Sequence, residues 1–366
     1  MAPSRILGAM RLFSAAALSV LLGAAMSAQA PAPALTEADF KGATVGFMHA
    51  IHATDNLDTT AAFYKEVFGL SSPVRPFAGE GPRKLTDSPE ANLRVSMLPI
   101  PGQGLNFELT EFTNTPSRTP GQQPALSDPG APHMKFLVRD IEPVMTAVRK
   151  LGHPIITTSK APVAVKTPFG DARAIFFRDP DGYIVEAVQI PAPADAPAGN
   201  VIGAIMGVTV RDMDADMKFW AGHLGLEPAG EKTFASDPAR LDLYGVAKGG
   251  SYRTMSAVFP GSRARIEFLE FKGMPRKEFS IRVTDPGASG MAIRVKKIQD
   301  LMATLKKEGI RVSSKNAELV EWSATIHNVF IKDPNGLNLE LVGTPPGVPA
   351  VPFPGTQPGR GRGAAQ

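Results

Sequence analysis

The sequence predicts an α+β fold of two tandem domains, each made of paired strand–helix–strand–strand–strand modules that form a cupped mixed sheet. Two observations carry this prediction. A pattern of strand, helix and carboxylate-bearing strand runs through residues 44–190 and returns through 201–343, and within each copy the pattern splits into two similar halves. The copies align with almost no gaps. Asn56-Leu57-Asp58 to Phe68-Gly69-Leu70 matches Asp212-Met213-Asp214 to Leu224-Gly225-Leu226 at an offset of 156. Ser127-Asp128-Pro129-Gly130-Ala131 matches Thr284-Asp285-Pro286-Gly287-Ala288 at 157, and Phe107-Glu108-Leu109 matches Ile266-Glu267-Phe268 at 159. Arg178-Asp179-Pro180-Asp181-Gly182 with Glu186 matches Lys332-Asp333-Pro334-Asn335-Gly336 with Glu340 at 154. Offsets this constant indicate an internal repeat.

The elements follow in order. Thr44 to Ala53 is apolar with strand character. Asp58 is placed to cap a helix burying Ala61, Tyr64, Val67 and Phe68, which Gly69 ends. Leu93 to Pro99 and Leu105 to Phe112 read as strands about the turn Pro101-Gly102-Gln103-Gly104. Residues 133–139 open the second module as a strand, Asp140 caps its helix with Pro143 in the first turn, and Gly152 terminates it. Strands Ala174 to Arg178 and Tyr183 to Gln189 flank Asp179-Pro180-Asp181-Gly182, a tight turn needing a positive φ at Gly182. Two modules per copy are expected to close on one shared cleft.

The flanks read differently. Residues 1–30 have the form of an export signal: Arg5 and Arg11, an apolar run from Leu12 to Met26, then Ala28-Gln29-Ala30 as a cleavage site. That run is shorter than the roughly 20 residues a membrane-spanning helix needs. A periplasmic or secreted protein, free of the membrane after cleavage, is the expectation. The absence of cysteine excludes disulfides and a lipid-modified cysteine. Residues 191–200, rich in proline and alanine, read as a linker, and 344–366 as a disordered Pro/Gly-rich tail. The net charge of +4 comes wholly from Arg5, Arg11, Arg360 and Arg362, since the rest of the chain balances 35 basic against 35 acidic side chains. A neutral body with no basic run argues against nucleic acid as a partner and for a small-molecule substrate.

Histidines are unevenly placed. His49 and His133 each precede the start of a helical segment, Asn56 or Asp140, by seven residues, and Glu186 follows Gly182 by four. Together with Phe63-Tyr64 to Gly69-Leu70 and the Asp-Pro-Asp-Gly turn, these features resemble the vicinal oxygen chelate superfamily, which includes glyoxalase I, methylmalonyl-CoA epimerase, extradiol dioxygenases and bleomycin-resistance proteins. The resemblance covers both copies. It implies a metal held by His49, Glu108, His133 and Glu186, with Glu186 or Glu108 as the catalytic base. Two imidazoles and two carboxylates suit one divalent Zn, Ni, Mn, Fe or Co ion with positions left for substrate. The second copy departs from the pattern. Ile205 and Gly290 stand where His49 and His133 do, while Glu267 and Glu340 remain, so that copy is expected to be metal-free, its glutamates satisfied by hydrogen bonds or a basic side chain.

His52, three residues from His49, falls on the opposite face of a regular strand, and Glu111 likewise opposes Glu108. A bulge would make Glu111 the replacement ligand. Arg75, Arg83, Lys84 and the stretch Thr113 to Pro132 are candidates to line or cover the cleft. The activity the resemblance implies is a glyoxalase-like lyase, isomerase or epimerase acting on vicinal oxygens through an enediolate. Two alternatives stand beside it: an extradiol-type dioxygenase with Fe(II) on His49, His133 and Glu186, and a metal-free small-molecule binder.

Overall fold

A computed structural model describes residues 40–115, 123–246 and 249–349. The expected export signal and most of the expected tail lie outside the described residues. Among the described residues, no helix is long and apolar enough to cross a membrane.

Four modules follow one another. The first holds β1 (Thr44–Thr54), α1 (Leu57–Phe68), β2 (Val74–Phe77), α2 (Glu80–Leu85), β3 (Asn92–Ile100) and β4 (Leu105–Thr113). The second holds β5 (Pro132–Val138), α3 (Glu142–Leu151), β6 (Val163–Thr167), β7 (Gly170–Arg178) and β8 (Ile184–Gln189). The third has β9 (Val201–Thr209), α4 (Met213–Met217) continuing as a π-helical turn (Lys218–His223), β10 (Ala229–Gly230), α5 (Pro238–Leu243), β11 (Ser251–Val258) and β12 (Arg265–Lys272). The fourth has β13 (Ser289–Val295), α6 (Ile298–Lys307), β14 (Val320–Ser323), β15 (Ile326–Lys332) and β16 (Asn338–Gly343).

Local chemistry sets most boundaries. Gly69 and Gly152 end α1 and α3 in the left-handed conformation, at φ 70° and 73°. The first cap differs from expectation: Asn56 takes the N-cap, its side chain accepting the Thr59 N–H, while Asp58 sits inside the first turn. An extended φ at Asn56 leaves its oxygen aimed at the free amides, which Asp58, already helical, cannot reach. At α3 the cap position falls to Ile141, and Asp140 accepts the Glu142 N–H from one residue earlier.

The modules pair across the repeat and not within it. The first sheet runs β14-β15-β16-β13-β1-β4-β3-β2, and the second β10-β11-β12-β9-β5-β8-β7-β6. Each is thus a mixed eight-stranded sheet joined at its centre by an antiparallel pair of first strands, β1 with β13 and β5 with β9. The first and fourth modules therefore share one cleft, the second and third the other. This differs from the expected closure of each sequence copy on itself. All four modules present the same kind of unpaired first strand, so the repeat pattern alone carries no preference among partners.

One continuous apolar core lies on the faces turned from the clefts. It joins Phe47 and Ala50 of β1, Met134 and Phe136 of β5, Phe63 and Tyr64 of α1, Val144 and Val148 of α3, and Ile298 and Leu305 of α6. A bulge between Phe47 and His49 turns His49 and Ile51 into the first cleft, and plain alternation points His133, Lys135 and Leu137 into the second.

Candidate metal centres in two clefts

In the first cleft His49 Nε2 lies 3.1 Å from Glu108 Oε2 and 4.0 Å from Glu340 Oε2. Each carboxylate is held by its other oxygen. Thr110 Oγ1 donates to Glu108 Oε1 at 2.6 Å, and Asn328 Nδ2 donates to Glu340 Oε1 at 2.9 Å. The remaining oxygen of each faces the His49 imidazole. Burial, with the Glu108 charge adding to it, raises the Glu340 carboxyl above the ordinary carboxylate range. These groups line a cavity of about 490 Å³ whose other walls are mainly apolar, among them Val95, Phe112, Phe330 and the half-open Trp322. Arg75 lines it too, whereas Arg83 bonds the Ala91 carbonyl and Asn92, and Lys84 pairs with Glu80. A polar cavity of about 620 Å³ adjoins, sharing Thr86 and Val283 and bearing Arg282, Arg311, Lys332 and Thr115.

In the second cleft His133, Glu186 and Glu267 bring one donor atom each within 4.8 Å of one another. A lysine lies among them. Lys135 Nζ is 2.6 Å from Glu267 Oε2 and 3.2 Å from Glu186 Oε2. Burial raises the Glu186 carboxyl, while Lys135 and His133 outweigh burial at Glu267 and hold it well below the usual range. Phe176, Leu241, Leu243, Tyr244 and Phe271 form a buried apolar cluster with Leu137 and Ile205 on the same side of this sheet. The loop carrying α5 is tied across the cleft, the Ser159 amide donating to Asp242 Oδ1 and Thr157 Oγ1 to the Leu243 carbonyl.

The four residues expected to share one ion are thus divided: His49 and Glu108 in the first cleft, His133 and Glu186 in the second. The cause is the module pairing, because β1 is joined through β13 to β16, the last strand of the fourth module, which brings Glu340. Glu340 and Glu267 were legible as aligned carboxylates but not as partners of the histidines. Lys135 belongs to no motif, although it lies two residues beyond His133 and so on the same strand face. The basic partner expected for a retained glutamate is Lys135 at Glu267, and the hydrogen-bonding one is Asn328 at Glu340.

His52 points away from the first cleft. Its Nε2 donates to Asp179 Oδ2 at 2.8 Å and its Nδ1 to the Ala288 carbonyl at 3.3 Å. Glu111 is occupied by the Leu57 amide and Arg94, and so supports the start of α1. His223 pairs with Glu308, and His327 with Gln299.

Donor geometry tests whether a metal fits. Bonds of about 2.0–2.2 Å to a common ion separate neighbouring donors by roughly 3 Å and opposed ones by roughly 4 Å. The spacings about His49 lie in this range, with two carboxylates oriented by hydrogen-bond donors behind them, as metal ligands commonly are. The first cleft has suitable donors, but its three do not all lie within 4.8 Å of one another, so an ion there requires the two carboxylates to draw together. The second has suitable donors, but an ammonium stands between them.

Comparison with known proteins agrees with this architecture. The sequence model of the Glyoxalase/Bleomycin resistance protein/Dioxygenase superfamily matches residues 46–187 and again 201–341, and the chain belongs to that superfamily. It is 31% identical over 160 residues to a 2-epi-5-epi-valiolone epimerase from Actinomyces sp, covering 41% of this chain and 82% of that protein. It is 28% identical over 182 residues to lactoylglutathione lyase GLX1 of Arabidopsis thaliana, covering 49% of this chain and about half, 54%, of that relative. Among solved structures, glyoxalase I from Zea mays superposes with a TM-score of 0.51 at 17% identity, over 81% of this chain and 92% of that one. A putative dioxygenase from Bacillus subtilis gives 0.50 at 16%, over 84% and 87%. At such identities the structures show a shared fold.

Proposed function

We propose that the first cleft is the active site of an exported, metal-dependent lyase, isomerase or epimerase of the glyoxalase type, acting on a small molecule with adjacent oxygens. The observation that carries this reading is His49, with Glu108 at 3.1 Å and Glu340 at 4.0 Å, on the wall of a substrate-sized, largely apolar cavity. These three residues would hold the ion, and Glu340 takes the place that the resemblance gave to Glu186. A divalent cation supplies Lewis-acid stabilisation of negative charge developing on substrate oxygen. The chain supplies the rest. Thr110 and Asn328 fix the two carboxylates, the apolar walls exclude water and strengthen charge interactions within the cleft, and the Glu340 carboxylate accepts the substrate proton.

The relatives named lyase and epimerase support this class. The dioxygenase alternative needs His49, His133 and Glu186 around one ion, and these lie on two sheets, so the lyase or isomerase reading is favoured.

The test is metal content by mass spectrometry, with a screen of 2-oxo and 2-hydroxy substrates, on the wild type, His49→Ala and Glu340→Gln. One cleft-bound ion lost with His49→Ala, together with turnover abolished in both variants, is expected. A wild type that holds no ion after reconstitution with Zn, Ni, Mn or Fe(II) would sink the reading.

A further inference from the structure

Lys135 and Ala292 occupy equivalent places in the two sheets. In the first sheet His49 pairs directly with Ala292, and in the second the matching cross-strand pair is Ile205 with Lys135. Where one cleft has a histidine facing a methyl group, the other has an aliphatic chain facing a lysine. The two exchanges touch the same spot, because the ammonium extends to the carboxylates that the second cleft shares with its twin.

We propose that Lys135 is an internal substitute for a metal ion, and that its removal exposes a second divalent-cation site formed by His133, Glu186 and Glu267. Three observations meet here. The donors already lie within 4.8 Å of one another. The Lys135 ammonium contacts both carboxylates, at 2.6 Å and 3.2 Å, and supplies the positive charge that two buried carboxylates require. The buried His133 ring makes no well-formed hydrogen bond, its nearest polar partner being Glu267 Oε2 at 3.5 Å from Nε2. The ring is lodged over Gly207, where a Cβ would come within 2.0 Å of it. His133 thus keeps a place on the cleft face, with Nε2 3.5 Å from the Glu267 carboxylate that Lys135 already occupies.

A divalent ion cannot share this space with the ammonium, since like charges about 3 Å apart in a dry cleft repel strongly. The native second cleft is therefore closed to metal. Truncation to alanine, the residue found at the equivalent position of the first cleft, removes the charge and vacates the volume of a four-carbon stem.

The experiment uses the full chain with the first cleft silenced by His49→Ala, compared with His49→Ala/Lys135→Ala. Both are stripped with EDTA, dialysed against Zn or Ni, and read by metal content and thermal unfolding. The double variant should gain about one ion per chain and a zinc-dependent rise in Tm, both abolished by adding His133→Ala. No gain, or a gain indifferent to His133, would overturn the proposal. Whether or not the first cleft proves to bind metal, this comparison reads only the second. Should the double variant fail to fold, His133→Ala in the otherwise native chain decides: unchanged metal content supports the proposal, and loss of one equivalent overturns it.

Discussion

His52 Nε2 lies 2.8 Å from Asp179 Oδ2, which joins the central strand of the first sheet to the Asp-Pro-Asp-Gly turn of the second. Tyr64 also donates to Asp179, and Thr60 to Asp181, so the contact belongs to a buried network through which one sheet is fixed against the other. The imidazole is pushed up to about 10, because Asp179 and Asp181 outweigh the burial that opposes its charge.

The sign of the resulting pH dependence is determined by that rise. A histidine whose folded pKa exceeds its unfolded value contributes fully below pH 6.5, and the contribution fades as pH climbs towards 10. Urea unfolding between pH 6 and 10 should show stability falling across this window, with a flatter profile in His52→Gln. Breaking the buried pair should cost about 3–5 kcal/mol at pH 6. Parallel profiles for the two proteins would refute the assignment.

At the related place in the other half, Asp216 and Asp333 have no histidine between them. Burial raises Asp216 to about 6 and Asp333 to about 7. Raised carboxyls favour the folded state only while protonated, so stability should decline as pH rises from about 4 to about 7. Asp216 Oδ2 lacks a hydrogen-bond partner. Asp216→Asn should therefore stabilise the protein by about 1–2 kcal/mol at pH 8 and little at pH 5, as chemical denaturation at the two pH values will show.

Thr110 and Asn328 orient Glu108 and Glu340 from the side away from His49. Thr110→Val and Asn328→Ala should each weaken metal affinity about 10- to 100-fold with the fold intact. Competition with a chromophoric chelator measures this, and unchanged affinity in both would remove the supporting role.

Trp322 lines the first cavity, remains 39% exposed, and packs over Gly81 of α2, where a Cβ would meet its ring at 3.0 Å. Trp322→Ala removes apolar wall without touching the donors, so KM should rise several-fold with kcat largely kept. A loss confined to kcat would show that the ring acts on the reacting groups instead.

Much of this protein was legible locally. The four modules, the glycines that end α1 and α3, the Asp-Pro-Asp-Gly turn and the inward face of His133 follow from capping, chain reversal and strand alternation, interactions made among residues close in sequence. The residue types of the donors could also be named in advance. Which donors meet was decided elsewhere. The partner of β1 is chosen by contacts between strands more than 200 residues apart, and four modules of one pattern look alike to any local rule. Only the folded chain puts Glu340 beside His49 and sets Lys135 between Glu186 and Glu267, because a shared cleft depends on side-chain fit across the antiparallel joint. Gly207 leaving room for the His133 ring is one such fit.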